Sequence, residues 1–298
     1  MPKVFIIILH YKNWGDTQEC LKSLEALNYD NFEVIVVDNG SKDKFTVHSP
    51  RFTVKQIFNK ENLGFAGGMN VGIGQALKKD AKYILLLNND VTIEPNFLKE
   101  LVRKGESDRG IGILGPVIYD YQSKKIHFAG GKINWLYTKG IHIQNTRYPS
   151  LAKRSGAGKI RYTDYITGAC LLIKREVIEK IGLMDEDYFL YFEDVDWCLK
   201  ARRAGYKCVL IPNSKIWHKP SSSAKEGSFS YIYYHTRNGL LMTKKNALFL
   251  IKFLAYLQSF WIFGKQIIKL MLMPSKKKWA RAMMLGIKDF YRGKFGKL

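Results

Sequence analysis

KYILLLNND, residues 82–90, sets five consecutive apolar side chains in front of two amides and one carboxylate. An unbroken apolar run of that length, without alternation, is the pattern of a strand buried on both faces. The same form occurs upstream in KVFIIILHY (3–11) and FEVIVVDNGS (32–41), and FTVKQIF (52–58) adds a further strand. Between these runs, DTQECLKSLEAL (16–27) repeats Cys20, Leu21, Leu24 and Leu27 at helical spacing. GGMNVGIGQALKK (67–79) reads as a helix entered through glycines. Such alternation predicts an α/β fold, a Rossmann-like and mostly parallel central sheet with helices on both faces. Ligands of such sheets bind beyond the carboxyl ends of the strands. Two of those ends carry Asp38-Asn39-Gly40-Ser41 and Asn88-Asn89-Asp90.

From 111 to 220 the strands become shorter and mixed: IGILGPVIYD, KIHFAGGKI, ACLLIKREV and KCVLIPNSKIWH, with one helix over 194–204. YPSLAKRSGAGK (148–159) reads as a flexible basic loop, and beyond 228 the chain reads as helical throughout. MPKVFIIILHY has no cleavage site for a leader and reads as a buried strand. Four cysteines without CxxC spacing point to a reduced, cytoplasmic protein.

The strand ends offer chemistry, each with a plainer alternative. Asp38 can accept hydrogen bonds from a base or ribose, or simply close an Asx-turn. Glycines at 64, 67, 68, 72 and 74 keep the chain lean where a helix starts, so backbone N–H groups can approach a phosphate. Asp90, one acid beside two amides, suits a hard divalent ion that keeps several waters and shares substrate phosphates. His218 ends another strand and fits a borderline ion such as Mn²⁺ if it lies near Asp90. In DYFLYFEDVDWCLKARRAGY (187–206), Glu193, Asp194 and Asp196 follow four aromatics. A helix first turn favours such acids by about 0.3–1 kcal/mol each. Capping needs only one, and desolvation by the rings would raise the pKa of another toward that of a general base.

Taken in order, the DNGS strand end, NLGFAGGMNVG, LNND, TGACLLIKREV, the 187–206 stretch and the WH pair resemble the family-2 inverting glycosyltransferases of the GT-A fold. The likeness is greatest to the bacterial rhamnosyltransferase-like branch and covers residues 3–240. It implies a donor side formed by Tyr11, Asp38, Asn62, Gly68, Asn70, Asn88 and Asn89. It implies Asp194 as catalytic base, with Gly168, Glu193 and Trp197 on the acceptor side. Asp90 and His218 would hold Mg²⁺ or Mn²⁺, although Asn88 replaces the first acid of the family's D-x-D motif. The implied reaction is transfer from dTDP-rhamnose or a UDP-sugar to a hydroxyl of a glycan or lipid-linked acceptor in cell-surface polysaccharide synthesis. An inactive relative that only binds glycan or nucleotide is the alternative. The implied domains are 1–240, with donor half 1–110 and acceptor half 111–240, and a helical extension over 241–298.

That extension is basic. The chain carries a net +22, of which residues 244–298 hold +12, with 13 Lys/Arg against the single acid Asp289. NALFLIKFLAYLQSFWIFGKQIIKLMLM (246–273) places Lys252, Ser259, Lys265/Gln266 and Lys269 on one narrow polar stripe, with Phe253, Phe260, Trp261 and Phe263 in the wide remainder. Its lysines interrupt the roughly 20 apolar residues a spanning helix needs. The expectation is a peripheral helix lying in an anionic membrane surface on the cytoplasmic face. A core-packed helix pair or a homo-oligomer interface would use the same pattern. Nucleic acid is not an expected partner, because the tail is too rich in apolar faces for a disordered basic arm.

Overall fold

The computed structural model describes residues 1–41, 46–144, 161–219 and 227–298; the loop read at 148–159 lies outside the described residues. β1 (Val4–His10), β2 (Phe32–Asp38), β3 (Val54–Phe58) and β4 (Tyr83–Asn88) pair in parallel in the order β3-β2-β1-β4. β1 runs between two neighbours and under helices, so Val4 through Ile8 are fully buried, which is why the run is apolar without alternation. α1 (Trp14–Leu24), α2 (Gly64–Leu77) and α3 (Phe97–Ser107) are the connecting helices of this half.

The sheet continues past residue 110 without interruption. β5 (Val91–Ile93) leads to β6 (Ile111–Asp120), and β7 (Ile126–Phe128) pairs with β6. β8 (Gly131–Asn134) and β9 (Lys139–His142) form a separate two-stranded sheet. KIHFAGGKI is therefore two strands, parted at Gly130, whose φ of +102° only glycine takes without strain. β10 (Arg161–Tyr162), β11 (Cys170–Lys174) and β12 (Lys207–His218) complete a ten-stranded mixed sheet of order β10-β12-β6-β11-β4-β1-β2-β3, with β5 and β7 at its side.

The reading of ACLLIKREV as one strand needs correction. The strand stops at Lys174, and α4 (Arg175–Ile181) follows, tied by an Arg175–Glu179 ion pair at 2.7 Å. A second helix, α5 (Glu193–Arg203), ends at Gly205 with φ +93°. Three helices close the chain: α6 (Phe229–Asn246), α7 (Phe249–Leu272) and α8 (Lys277–Tyr291). α6 runs straight through residue 240, so the boundary read there falls inside a helix.

Candidate functional site

The carboxyl ends of β1, β2 and β4 lie side by side. His10 pairs with Asp38 and Leu9 with Asn88 in register, so Asp38 and Asn88 flank the end of β1 about 10 Å apart. This is the switch point of the sheet, where the chain leaves β1 for β2 on one side and later adds β4 on the other. Asp38 is 3% exposed and its Oδ1 accepts from the Ser41 N–H at 2.9 Å, an Asx-turn that holds the loop down. Ser41 Oγ accepts the Lys12 N–H at 2.8 Å. Asn62 hydrogen-bonds the Tyr11 phenol and, together with the Lys12 ammonium 4.9 Å from its ring, holds that phenol below its ordinary pKa. Tyr11, Lys12, Asp38, Ser41 and Asn62 thus make one polar patch with a cation in it. Lys12 was not singled out in the sequence, and nothing in its local spacing marks it.

Asn39 organises the loop beneath. Its amide donates to Asn62 Oδ1 at 3.1 Å and Gly64 O at 2.9 Å, and its oxygen accepts from Asn59 and from the Leu63 N–H at 3.1 Å. Behind it Gly68 and Gly72 serve the packing of α2 on the sheet. A Cβ on Gly68 would stand 2.4 Å from Leu9 Cδ1, so α2 presses directly on β1. The N-terminus of α2 is covered as well, since the Phe65 N–H donates to Phe189 O at 2.6 Å. Asn70, read as a donor contact, is 7% exposed and spends its amide on Met184 and Glu186. Gly68 and Asn70 therefore hold the floor of the site and do not face a cleft.

At the end of β4 three sequence candidates meet. His218 Nε2 lies 2.9 Å from Asp90 Oδ1 and 3.5 Å from Asn88 Nδ2, because β5 pairs with β12 and sets Val91 opposite His218. Asn89 turns away, its amide on Thr17 Oγ1 at 2.9 Å. Among the described residues no group of three or more His, Cys, Asp and Glu side chains gathers for a metal. One carboxylate and one imidazole at a strand end fit an ion whose remaining positions go to diphosphate oxygens and water. They do not make a closed protein cage. Next to them Lys219 is held by Asp16 at 2.8 Å and Glu19 at 2.6 Å, which keeps its ammonium off the Asp90 carboxylate.

The acid cluster of α5 divides into three environments. Asp196 is fully buried, paired with Lys200 at 3.0 Å and accepting from Asn246 at 2.6 Å and Tyr188 at 3.2 Å. Glu193 is 5% exposed, and burial together with the neighbouring Asp194 carboxylate pushes its pKa well up. Its Oε2 has no hydrogen-bond partner among the described residues. Asp194 stays partly exposed. Its Oδ2 accepts the Gly168 N–H and its Oδ1 the Val195 N–H, both at 2.7 Å. Burial raises its pKa, while those two N–H groups and the Thr167 side chain pull it back. Asn88 N–H donates to Ala169 O at 3.0 Å, so the loop that holds Asp194 is stitched to the strand that carries Asp90. Trp197, read as an acceptor contact, is corrected by its burial: it is wholly enclosed, and its indole N–H donates to Gly182 O at 2.9 Å.

Two residues that the sequence does not mark, Arg237 and Asn238, hold the loop that precedes Asp194. Phe189, Tyr191 and Phe192 have φ of +60°, +69° and +76°, in a region that costs a non-glycine residue about 1–3 kcal/mol. Their loop turns its carbonyls inward, where the Asn238 amide donates to Tyr188 O, Leu190 O and Tyr191 O at 2.8–3.0 Å. Arg237, fully buried, donates to Asp187 O at 3.2 Å and Tyr188 O at 3.1 Å. A buried Arg-Asn pair in the middle of a helix is the only sequence signal, and burial is invisible there.

This sheet order, with a polar cleft at its switch point, is the GT-A fold. It superimposes with a TM-score of 0.67 over 98% of this chain on 56% of the crystal structure of GalNAc-T7 with UDP, GalNAc and Mn²⁺, at 16% identity. The chain belongs to glycosyl transferase family 2, which residues 5–182 match. Within it the relatives define the rhamnosyltransferase-like branch. The dTDP-rhamnosyl transferase RfbF of Shigella flexneri is 28% identical over 245 residues, covering 76% of this chain and 77% of that protein. The N-acetylglucosaminyl-diphospho-decaprenol L-rhamnosyltransferase of Mycobacterium tuberculosis is 24% identical over 254 residues, covering 78% and 81%. The protein is a glycosyltransferase.

Proposed function

We propose that this glycosyltransferase inverts the anomeric centre in one displacement, with Asp194 as its general base. The observation behind this is the environment of Asp194: a partly exposed carboxylate, raised by burial yet oriented by two N–H groups at 2.7 Å. Its neighbours Glu193 and Asp196 are enclosed. The acceptor O–H gives its proton to Asp194 as its oxygen bonds to the anomeric carbon. The bond from that carbon to the diphosphate breaks, and the nucleoside diphosphate leaves with the electron pair. A single base suffices for such a displacement, whereas a retaining double displacement needs a nucleophile and a separate acid. Tyr11, Lys12, Asp38 and Asn62 line the side on which we place the nucleotide. Asp90 and His218 would hold Mg²⁺ or Mn²⁺, which when bound neutralises charge growing on the departing diphosphate.

The donor is dTDP-rhamnose or a UDP-sugar, and the acceptor a hydroxyl on a glycan or lipid-linked glycan in cell-surface polysaccharide synthesis, at the cytoplasmic face of a membrane. The rhamnosyltransferase relatives support this choice. Incubating the protein with each nucleotide sugar and a polyprenyl-diphosphate-linked acceptor tests it, with product stereochemistry read by NMR. Retention at the anomeric carbon would exclude the single displacement.

A further inference from the structure

Helix α7 is inverted relative to an ordinary surface helix. Its inward positions Ala255, Ser259 and Gln266 are 1%, 3% and 3% exposed, small or polar. Ser259 Oγ lies 2.7 Å from Tyr291 Oη of α8, and Gln266 donates to its own helix at Ile262 O. Ser259 and Gln266, two members of the narrow polar stripe, turn toward the body of the protein. Its outward positions Phe253, Leu257, Phe260, Trp261, Ile268 and Leu272 are 51–75% exposed. A contiguous apolar face of that kind on a 24-residue helix marks an interaction surface.

Charge decides what covers it. Lys265, Lys276, Lys277, Lys278, Arg281 and Lys288 are exposed on this face or on the α8 segment that follows. The one acid of residues 244–298, Asp289, is 9% exposed and accepts from the Tyr233 phenol at 2.9 Å. A second copy would therefore set lysine against lysine with no carboxylate to answer it. Anionic lipid phosphates answer every one of these cations. Lys265 Nζ sits 3.3 Å from the centre of the Trp261 ring, a pairing that places an amphipathic indole and a cation at headgroup level. Among the described residues no helix is long and apolar enough to cross a membrane.

We propose that the outer face of α7, with the basic start of α8, docks in the plane of an anionic bilayer. This goes beyond the donor chemistry and depends on no part of it. The test is sedimentation of the full chain with vesicles of phosphatidylcholine alone or mixed with phosphatidylglycerol. Two variants accompany it: Leu257→Glu with Trp261→Glu, and Lys276→Glu with Lys277→Glu and Lys278→Glu. All the changed side chains are exposed, and circular-dichroism melts check that each protein stays folded. The wild type is expected on anionic vesicles and far less on neutral ones. The charge variant should lose at least about 100-fold in partitioning, since three basic contributions vanish and three carboxylates repel the surface. The apolar variant should lose at least about ten-fold, from the burial it forgoes. Equal pelleting of all three proteins overturns the proposal, as does failure of the wild type to bind at low salt. A lipid-free dimer that the apolar variant dissociates, with no vesicle binding by the wild type, would assign the face to self-association instead.

Discussion

Glu193 and Asp194 are adjacent and both raised in pKa, yet their oxygens touch different things. Asp194 has N–H donors that stabilise its charged form; Glu193 Oε2 has none among the described residues. Burial therefore favours the protonated form of Glu193 more than that of Asp194. Asp194→Asn should cut kcat about 10²–10⁴-fold, the range for loss of a general base, with donor affinity by calorimetry unchanged. Glu193→Gln changes a side chain that takes no part in the Gly168 and Val195 N–H bonds to Asp194, and should keep most of that activity. The stability sign is also set. A carboxyl raised on folding binds its proton more tightly in the native state, so it costs stability as pH rises above the ordinary glutamate pKa toward the raised one. Glu193→Gln should remove that cost, giving a higher Tm than wild type at pH 7 and little difference at pH 4. A lower Tm at pH 7 would show Glu193 ionised in the native protein. Asp90→Ala should abolish any tightening of nucleoside diphosphate binding by Mg²⁺ or Mn²⁺; full transfer by wild type in EDTA would remove the metal from the scheme.

A loop held in left-handed conformation needs an element that overdetermines it, and α6 supplies that element. Asn238 caps three inward carbonyls, and Arg237 bonds two carbonyls of the same turn. Without those donors the strain at Phe189, Tyr191 and Phe192 would relax the chain toward negative φ and move the start of α5, where Asp194 stands. Asn238→Ala should cost about 1–3 kcal/mol, the penalty for stranding buried polar groups, read as a fall in denaturation midpoint. Because the loop runs directly into α5, where the proposed base Asp194 stands, kcat should fall by more than donor Kd rises. Equal changes in both would place Asn238 in general stability alone. Asn70 works in the same way between elements, joining α2 to Met184 and Glu186.

Across the whole molecule, stability should bend at both ends of the pH range. Burial lowers the His235 pKa to about 4 among Tyr191, Tyr231 and Phe192, with Lys139 and His142 acting in the same direction. A histidine kept neutral in the native state contributes fully above its unfolded pKa of about 6.5. That contribution is lost as pH falls from there through about 4. The wild-type Tm should thus decline between pH 6.5 and 4 more steeply than that of His235→Phe, which keeps the ring and drops the titration. Parallel declines would assign the acid sensitivity to other groups. Glu193 pulls in the opposite sense from the ordinary glutamate pKa upward, so the two groups offset each other over part of this range and the comparison with His235→Phe isolates the histidine.

The amino-acid sequence determined the layers. β1, β2 and β4 are legible because burial on both faces leaves apolar runs that no helix period explains, and their polar ends mark the ligand edge. Local pattern also located the acid cluster at the head of α5. Tertiary structure alone decided which acid is available: Asp196 was taken by Asn246, Glu193 was enclosed, and Asp194 was met by Gly168 from another loop. It also brought His218 to Asp90 across 128 positions, buried Trp197, and showed that Gly68 packs on Leu9. Arg237 and Asn238 were unreadable for the same reason, since their partners lie about 50 residues upstream. α7 shows the limit most plainly: the 3.6-residue period reveals a polar and an apolar face, but only packing against α8 decides which one turns inward. Periodicity is a property of neighbours in the chain; hydrogen bonds and burial belong to neighbours in space.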